Sequence, residues 1–440
     1  MFSNFGRMPD QKYIYPACVR ATVVRVVLLI AATLLGAVAS HAAPLTPLTI
    51  AEAEDLALRD EPGLAELRAR ADALEEQSVA VGRLPDPSLR VGLQNYPIND
   101  GSFSTEGMTQ AQLGIRQVFP RKRSRTMSTD RYRALAAVEL RGSEARARSV
   151  IEAARAAWLE SYYWQSAEQV LSESRSLFDD LLQVTQSMYA VGRSAQTDVL
   201  SAELELRRLD DRLIDASRSR TAAQGSLSQW LGADAFRPAA EKLPDWKRLP
   251  PLATLLGNLA GHPALHAADA EIDAGQATVG LAEEKGKPGW ALDLAYGYRE
   301  GFQPNGEPRS DFVSLSVVVE LPLFKKNRQD RDLAAALSAR RAAVSGKERI
   351  AAELRSQLNV EYASWTDLTR RLALYETDIL ELTRRRAEAA MLAYQSDAGD
   401  FSDVLVGQID YVNTRLEHLL LKIERAQSYA ALANLGGLPR

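Results

Sequence analysis

Hydrophobic residues follow two different periods along the chain. In short runs, most clearly at about 289–299 and 311–322, every second residue is apolar, which predicts β-strands with one apolar and one wetter face. Elsewhere apolar residues recur at alternating spacings of three and four, as they do from Val199 to Ala216 and from Leu405 to Ala433. This spacing is typical of coiled-coil helices with an apolar seam. The pattern therefore predicts a fold that is mostly α with a small β part.

Proline is missing from two long spans, residues 121–237 and residues 323–438. A proline inside a helix costs about 3 kcal/mol, because it removes a hydrogen bond and clashes with the preceding turn. The two proline-free spans therefore predict very long helices. We place these long helices at about 122–190, 199–231, 325–396 and 403–435.

Landmark residues of the first half of the chain recur in the same order in the second half, roughly 200 residues later. The corresponding pairs are Pro87 and Pro288, Pro120 and Pro322, and Tyr189 and Tyr394. A period this long indicates tandem duplication of a whole structural unit rather than a solenoid. We expect a first repeat at 44–237, a linker at 238–250 in the equatorial region, and a second repeat at 251–440.

Each repeat is expected to begin with an amphipathic helix, at about 48–83 and at about 251–285, which two strands follow. The strands of the first repeat, at about 88–96 and 109–119, alternate less clearly than those of the second. Pro120 and Pro322 end the two strand pairs, so they mark the strand-to-helix transitions.

The predicted strands are about ten residues long, which is the length of a tilted strand that crosses a lipid bilayer. Aromatic residues near the strand ends suit the membrane interface. The residues of the second repeat that we expect to face lipid are Trp290, Leu292, Leu294, Tyr296, Val313, Leu315, Val317 and Val319. Alternation also fits a half-buried hairpin of a soluble domain, so the strands by themselves leave both readings open.

The N-terminal residues 1–43 have the features of a secretory signal peptide. A basic segment precedes an apolar run from Val26 to Ala39, and Ser40-His41-Ala42 supplies the small residues of a cleavage site. The chain is therefore expected to be exported. The single cysteine, Cys18, lies within this signal, so we expect no disulfide in the mature protein.

Charge and motifs exclude several classes of function. A formal net charge of −4 over 440 residues argues against a nucleic-acid partner. His262 and His266 are four residues apart, but Pro263 lies between them and no third ligand is nearby, so no metal site is predicted. The sequence shows neither a Ser-His-Asp grouping nor a glycine-rich phosphate loop. We therefore expect no enzyme activity, no catalytic residue and no cofactor.

Two short breaks separate the paired long helices. In the first break, Gly192 can adopt a left-handed conformation that ends one helix, and Thr197 or Asp198 can cap the next. The second break begins after Tyr394, and Ser402 or Asp403 is its expected cap. Both breaks therefore predict tight helical hairpins.

Nearly the whole chain after the signal resembles a TolC-type outer membrane factor, a member of the outer membrane efflux protein family. The Tyr-x-x-Gly…Asp-Val-Leu pattern from Tyr189 to Leu200 is similar to the family's tip motif. The segment Leu84-Pro-Asp-Pro-Ser-Leu89 resembles the CzcC/CusC-like heavy-metal efflux branch. The second repeat departs from the tip motif, because Asp397 stands where the family has glycine and Gly399 follows two residues later.

The resemblance implies a homotrimer in the outer membrane of a Gram-negative bacterium. Each of three copies would give four transmembrane strands to one 12-stranded β-barrel, which an α-helical barrel would continue into the periplasm. The implied partners are outer-membrane lipid, a periplasmic adaptor protein and an inner-membrane pump of the RND type. The adaptor-contacting tip residues would be Gly192, Arg193, Asp198, Gly399 and Asp403, and candidates for the periplasmic aperture would be Asp397, Asp400 and Asp403.

The function that the resemblance implies is a passive exit duct of a tripartite efflux system, with heavy-metal cations as the expected cargo. Two alternatives keep this fold and change the cargo, to drugs in multidrug efflux or to proteins in type I secretion. An alternative of another class is a soluble periplasmic coiled-coil scaffold. It would explain the signal peptide and the helices, but not the paired amphipathic strands at the same place in both repeats.

Overall fold

The computed structural model describes residues 46–99, 101–121, 123–244, 246 and 248–436. The expected signal peptide at 1–43 and the last residues of the second repeat, 437–440, lie outside this part of the chain. In chain order the elements are α1 (Ile50–Arg59), α2 (Pro62–Val81), β1 (Ser88–Gln94), β2 (Gln110–Phe119), α3 (Ser124–Ala190), α4 (Gln196–Leu231), α5 (Leu252–Asn258), α6 (Pro263–Glu284), β3 (Gly289–Tyr298), β4 (Phe312–Glu320), α7 (Gln329–Leu374), a π-helical segment (Tyr375–Ile379), α8 (Leu380–Gln395) and α9 (Phe401–Gly436). The prediction of a mostly α fold with a small β part is confirmed.

A proline divides each of the helices that lead into the strand pairs. α2 begins at Pro62, and the Glu61 carboxylate caps it by accepting a hydrogen bond of 2.6 Å from the Leu64 amide. In the second repeat α6 begins at Pro263, after the short α5. Proline has no amide hydrogen to donate inside a helix, but it fits the first turn. The expectation of one continuous helix over 48–83 and another over 251–285 is therefore wrong.

His262 caps the start of α6 and is buried there. Its Nδ1 atom accepts a hydrogen bond of 3.2 Å from the Ala264 amide, so the proton of the neutral ring lies on Nε2. The Nε2 atom has no hydrogen-bond partner in the described part of the chain. Burial, together with the positive charge of Arg148 and the nearby His266, lowers the pKa of His262 to about 4.

The four strands form one antiparallel sheet in the order β1-β2-β3-β4. The central strands, β2 and β3, come from different repeats, so their pairing joins the two repeats into one sheet. One row of directly opposed residues, one from each strand, consists of Leu89, Ile115, Leu294 and Leu315. Because side chains alternate along a strand, this register puts the apolar positions of all four strands on the same face.

Two long helical hairpins extend from the sheet. α3 is a single helix of 67 residues, which corresponds to roughly 100 Å. It turns back into α4, and in the second repeat α7, the π-helical segment and α8 turn back into α9. The two hairpins pack on each other through an apolar cluster that includes Phe178 of α3, Leu206 of α4, Tyr394 of α8 and Val404 of α9.

The chain leaves the sheet differently in the two repeats. α3 begins at Ser124, shortly after Pro120, whereas α7 begins only at Gln329 rather than at the expected 325. A turn precedes α7, in which the Asp330 amide donates a hydrogen bond of 3.0 Å to the Lys325 carbonyl. The second transition is therefore longer than the first, and it begins with exposed apolar residues.

The beginning of the first repeat and the linker that follows it meet near Trp158. The Nε1 atom of Trp158 donates a hydrogen bond of 3.0 Å to the Leu48 carbonyl, and Leu48 in turn forms a parallel bridge with Ala239. Gln165 exchanges two hydrogen bonds of 2.9 and 3.0 Å with the backbone of Ala239. The segment that connects the repeats is thus fixed to α3, and the Trp158 side chain is only 1% exposed.

Candidate membrane face and hairpin tips

One face of the sheet is apolar from edge to edge and stands open to the surroundings. The residues that the sequence assigns to a lipid-facing surface all lie on it: Trp290, Leu292, Leu294, Tyr296, Val313, Leu315, Val317 and Val319. Val313 is 72% exposed and Trp290 is 44% exposed, and only Leu292 is partly covered. The first repeat continues the same face with Leu89, Val91, Leu93, Leu113 and Ile115. These residues show that the weakly alternating strands of the first repeat have the same two-sided character.

The opposite face is polar and more enclosed. On it Arg116 of β2 lies across from Asp293 of β3, with the Nε and Oδ1 atoms 3.8 Å apart. The Gln110 side chain lies over Gly297 and donates a hydrogen bond of 3.0 Å to Gln94, and a Cβ atom at Gly297 would overlap it. Arg116 is not among the site residues expected from the sequence, although the alternation of β2 places it on the other face from Leu113 and Ile115.

Both edges of the sheet are without a strand partner in the described part of the chain. β1 and β4 are exposed at every residue, so their outward backbone groups are open to another chain. An open edge is a template for further strand pairing. The sheet is therefore either one segment of a larger β-structure or a sheet with two unprotected edges.

Side-chain contacts connect the strands at the boundary between β2 and the helices. Next to Pro120, the rings of Phe119 and Trp290 stack with their centroids 4.1 Å apart. Arg121 donates a hydrogen bond of 2.6 Å to the Lys287 carbonyl and lies 3.5 Å from the Glu320 carboxylate. Pro322 follows β4 in the corresponding place.

The first hairpin tip, residues 188–198, turns at Gly192. Gly192 has a φ of +75°, and its amide donates to the Tyr189 carbonyl at 2.9 Å. The Arg193 amide donates to the Met188 carbonyl, also at 2.9 Å. These two hydrogen bonds form a Schellman motif, in which the residue with positive φ is normally glycine. α4 begins at Gln196, so its N-cap residue is Ala195 rather than Thr197 or Asp198. The Asp198 carboxylate still accepts a hydrogen bond at the start of the helix, from the Ala195 amide at 3.1 Å.

The second tip, residues 393–403, turns at Asp397 instead of a glycine. Asp397 has a φ of +57°, and its amide donates to the Tyr394 carbonyl at 3.2 Å. The Ala398 amide donates to the Ala393 carbonyl at 2.8 Å, which completes the same Schellman motif. Gly399 packs against Ala393, where an added Cβ would come within 2.9 Å of the alanine methyl group. α9 begins at Phe401, so neither Ser402 nor Asp403 caps it.

Side chains connect the two tips directly. Arg193 of the first tip forms an ion pair with Asp397 of the second, and both side chains are about half exposed. The Tyr394 hydroxyl donates to Ser194 Oγ at 3.2 Å, and Ser194 in turn contacts the Asp198 carboxylate at 3.0 Å. The structure thus brings together Gly192, Arg193, Asp198 and Asp397 in one tip assembly.

The remaining candidates at the aperture have no such partners. Neither the Asp400 nor the Asp403 side chain makes an ion pair or a hydrogen bond with any described residue. The two residues are joined only through the backbone, where the Asp403 amide donates to the Asp400 carbonyl at 3.2 Å. Their carboxylates are exposed at the end of the second hairpin. They are consequently free to meet a partner or solvent.

Ion pairs also join the hairpins away from the tips. Arg415 of α9 donates to Glu173 of α3 at 2.6 Å, and this hydrogen bond lowers the pKa of the Glu173 carboxyl. On α8, hydrogen bonds first from Arg384 and then from Arg385 lower the pKa of Glu381 to about 2. These carboxylates therefore stay ionised at neutral pH.

In the described ranges, no helix is both long enough and apolar enough to cross a membrane. The same residues include no group of three His, Cys, Asp or Glu side chains that could hold a metal ion.

The fold is that of solved outer-membrane channel proteins. It is similar to CusC, with a TM-score of 0.76 at 14% sequence identity over 89% of this chain and 93% of CusC. It is also similar to VceC from Vibrio cholerae, with a TM-score of 0.70 at 17% identity over 88% of this chain and 96% of VceC. For the outer-membrane channel OprN the TM-score is 0.73 at 17% identity, over 88% of this chain and 90% of OprN.

A family match in the sequence agrees with this fold. Residues 258–438, which make up most of the second repeat, match the family model of the outer membrane efflux protein. The resemblance of the chain to TolC-type outer membrane factors is therefore confirmed. No curated protein shows significant sequence similarity to the chain.

Proposed function

We propose that the chain is the outer-membrane exit duct of a tripartite efflux system and conducts its cargo passively. The observation that carries this proposal is the sheet, with one exposed apolar face, one polar face and two open edges at the base of two long hairpins. An apolar face that crosses four strands without interruption suits lipid, and a polar face suits a water-filled lumen.

The open edges argue for three copies. In lipid, unpaired backbone groups cost several kcal/mol each, so a spanning sheet has to close on itself. Four strands per chain are too few to close, whereas three chains would supply a 12-stranded β-barrel in which β4 of one copy pairs with β1 of the next. The long hairpins would then stand side by side as an α-helical barrel in the periplasm of a Gram-negative bacterium.

The tips are the proposed place of contact with the partners. Gly192, Arg193, Asp198, Gly399 and Asp403 would face a periplasmic adaptor, which would couple the duct to an inner-membrane pump of the RND type. Asp397, Asp400 and Asp403 would lie around the aperture. The free carboxylates of Asp400 and Asp403 support this part of the proposal, because they are exposed and unpaired within the described chain.

Heavy-metal cations are the cargo that we propose, on the strength of the segment Leu84–Leu89. The sequence identities to solved channels are too low and too similar to decide the cargo, since they are 14% to CusC and 17% to VceC and OprN. A strain that lacks the gene should become sensitive to heavy-metal salts. Sensitivity to drugs alone would favour the multidrug alternative, and loss of a secreted protein would favour type I secretion.

Cell fractionation tests the location and the assembly. The protein should be recovered from detergent-extracted outer membranes and migrate as a trimer in mild detergent. Recovery in the periplasmic supernatant would favour the soluble scaffold. A stable monomer inserted in the membrane would contradict closure across three chains.

A further inference from the structure

The polar face of the sheet carries an unequal number of positive and negative charges at mid-strand. One row of the register contains Arg116 and Asp293, opposite each other. The neighbouring row on the same face contains Arg90, whose opposite residues Gly114 and Ala295 carry no charge. Two guanidinium groups and one carboxylate therefore share the middle of this face.

The charges differ in whether they are paired. Arg116 lies 3.8 Å from Asp293, and nearer the helices Arg121 lies 3.5 Å from Glu320. Arg90 has no carboxylate within ion-pair distance in the described part of the chain, and it is exposed. Arg90 thus leaves a net positive charge at mid-strand on the polar face of each copy.

We propose that Arg90, with Arg116 beside it, gives the barrel section of the duct a preference for anions. This inference rests on the proposed function, since only closure across three copies would place three Arg90 side chains at the same depth around one lumen. Charges around a narrow lumen with low-dielectric walls concentrate ions of the opposite sign. A metal would cross this section more readily as an anionic complex than as a bare cation.

The tips carry the opposite charge, so the duct would have two zones. The carboxylates of Asp400 and Asp403 lie at the far end of the hairpins, about 70 residues of helix away from the sheet, and would favour cations there. The ion selectivity of the whole duct combines both zones. The contribution of the barrel is therefore measured as the change that a barrel variant causes.

The test is the reversal potential of the full-length protein reconstituted in planar lipid bilayers under a KCl gradient. Arg90→Gln should lower the ratio of chloride to potassium permeability by about two- to fourfold at 0.1 M salt or below. Asp293→Asn should raise the ratio, because it frees the Arg116 charge. Arg70→Gln, which removes the same charge from the middle of α2, is the matched control and should leave the ratio unchanged.

The effect of Arg90→Gln should become small at 1 M salt, where the screening length falls to about 3 Å. Conducting channels in which Arg90→Gln shifts the ratio no more than Arg70→Gln would overturn the anion preference and leave the duct intact. A shift of the same sign for Arg90→Gln and Asp293→Asn would overturn it as well. Protein that inserts but never conducts would instead overturn the proposed function and this inference with it.

Discussion

A charge on the apolar face of the sheet should prevent assembly in the membrane. Leu315 is 68% exposed, lies next to the middle of the nine-residue strand β4, and belongs to the apolar row that includes Leu294 and Ile115. Arginine on the lipid face of a barrel costs about 2–4 kcal/mol near the bilayer centre. Leu315→Arg would introduce this cost in each copy, so a barrel of three copies would lose roughly three times as much, about 6–12 kcal/mol.

The control for Leu315→Arg lies one residue away. Ser314→Arg introduces the same side chain on the same strand, but on the polar face, where water would solvate it. We expect Ser314→Arg to be recovered from outer membranes as a trimer near the wild-type amount, and Leu315→Arg to be recovered at a tenth of that amount or less. The measurement is the intensity of the trimer band when washed outer membranes are run on a gel, with unboiled and boiled samples compared. Equal recovery of the two variants, or greater loss for Ser314→Arg, would refute the assignment of the faces.

The remaining predictions concern stability and are measured by thermal unfolding of the detergent-solubilised protein. Asp397→Gly should leave stability almost unchanged, because relief of the positive φ, about 1 kcal/mol, offsets the exposed pair with Arg193, whereas Asp397→Ala should lose about 1–2 kcal/mol. The pKa of His262 is about 4 in the folded protein, below its unfolded value of 6.5, so its contribution to the free energy of unfolding is complete above pH 6.5. This contribution falls by up to about 3 kcal/mol as the pH decreases to about 4, and His262→Gln should abolish this pH dependence. Trp158→Phe should cost about 1 kcal/mol, because it removes one of the two hydrogen bonds that the buried Leu48 carbonyl accepts and leaves the one from the Ala240 amide; an unchanged midpoint would contradict the role of Trp158.

The long elements were predictable because their signals are repeated many times over. Each long helix carries a seam of apolar residues and excludes proline, and tertiary packing does not have to override any local preference. The strands of the second repeat alternate over most of their length, so their apolar face could be assigned residue by residue. The breaks at Pro62 and Pro263 were missed, although proline at the first position of a helix is a common start signal.

The sequence identifies the turning position of both tips, although the second tip has no glycine there. Gly192 turns the first tip, and Asp397 stands at the corresponding position of the second tip, with Gly399 two residues later. The spacing from Tyr189 to Gly192 equals the spacing from Tyr394 to Asp397, so the aligned repeats place Asp397 at the position that adopts the left-handed conformation. Aspartate tolerates this conformation better than most residues, so it can stand in place of glycine here at a small energetic cost.

The pairing of the tips could not be predicted, because it depends on the distance between side chains in different repeats. Arg193 and Asp397 are adjacent in space although the chain between them forms half of the molecule. In the aligned repeats, Asp397 takes the place of Gly192, and Ala398 takes the place of Arg193. Each copy can therefore form this ion pair once, between its own two tips.

In a ring of three copies, six tips would alternate around the aperture, and the contacts within a chain would differ from the contacts between chains. Within a chain, Arg193 binds Asp397 and Tyr394 reaches Ser194. Between chains the same residues are already engaged, so the seam between copies would lack these bonds. Because an exposed ion pair contributes at most about 1 kcal/mol, its loss should weaken the pairing of the tips without unfolding the hairpins. Divergence of the two repeats at a few tip residues would thus make three of the six seams tighter than the other three.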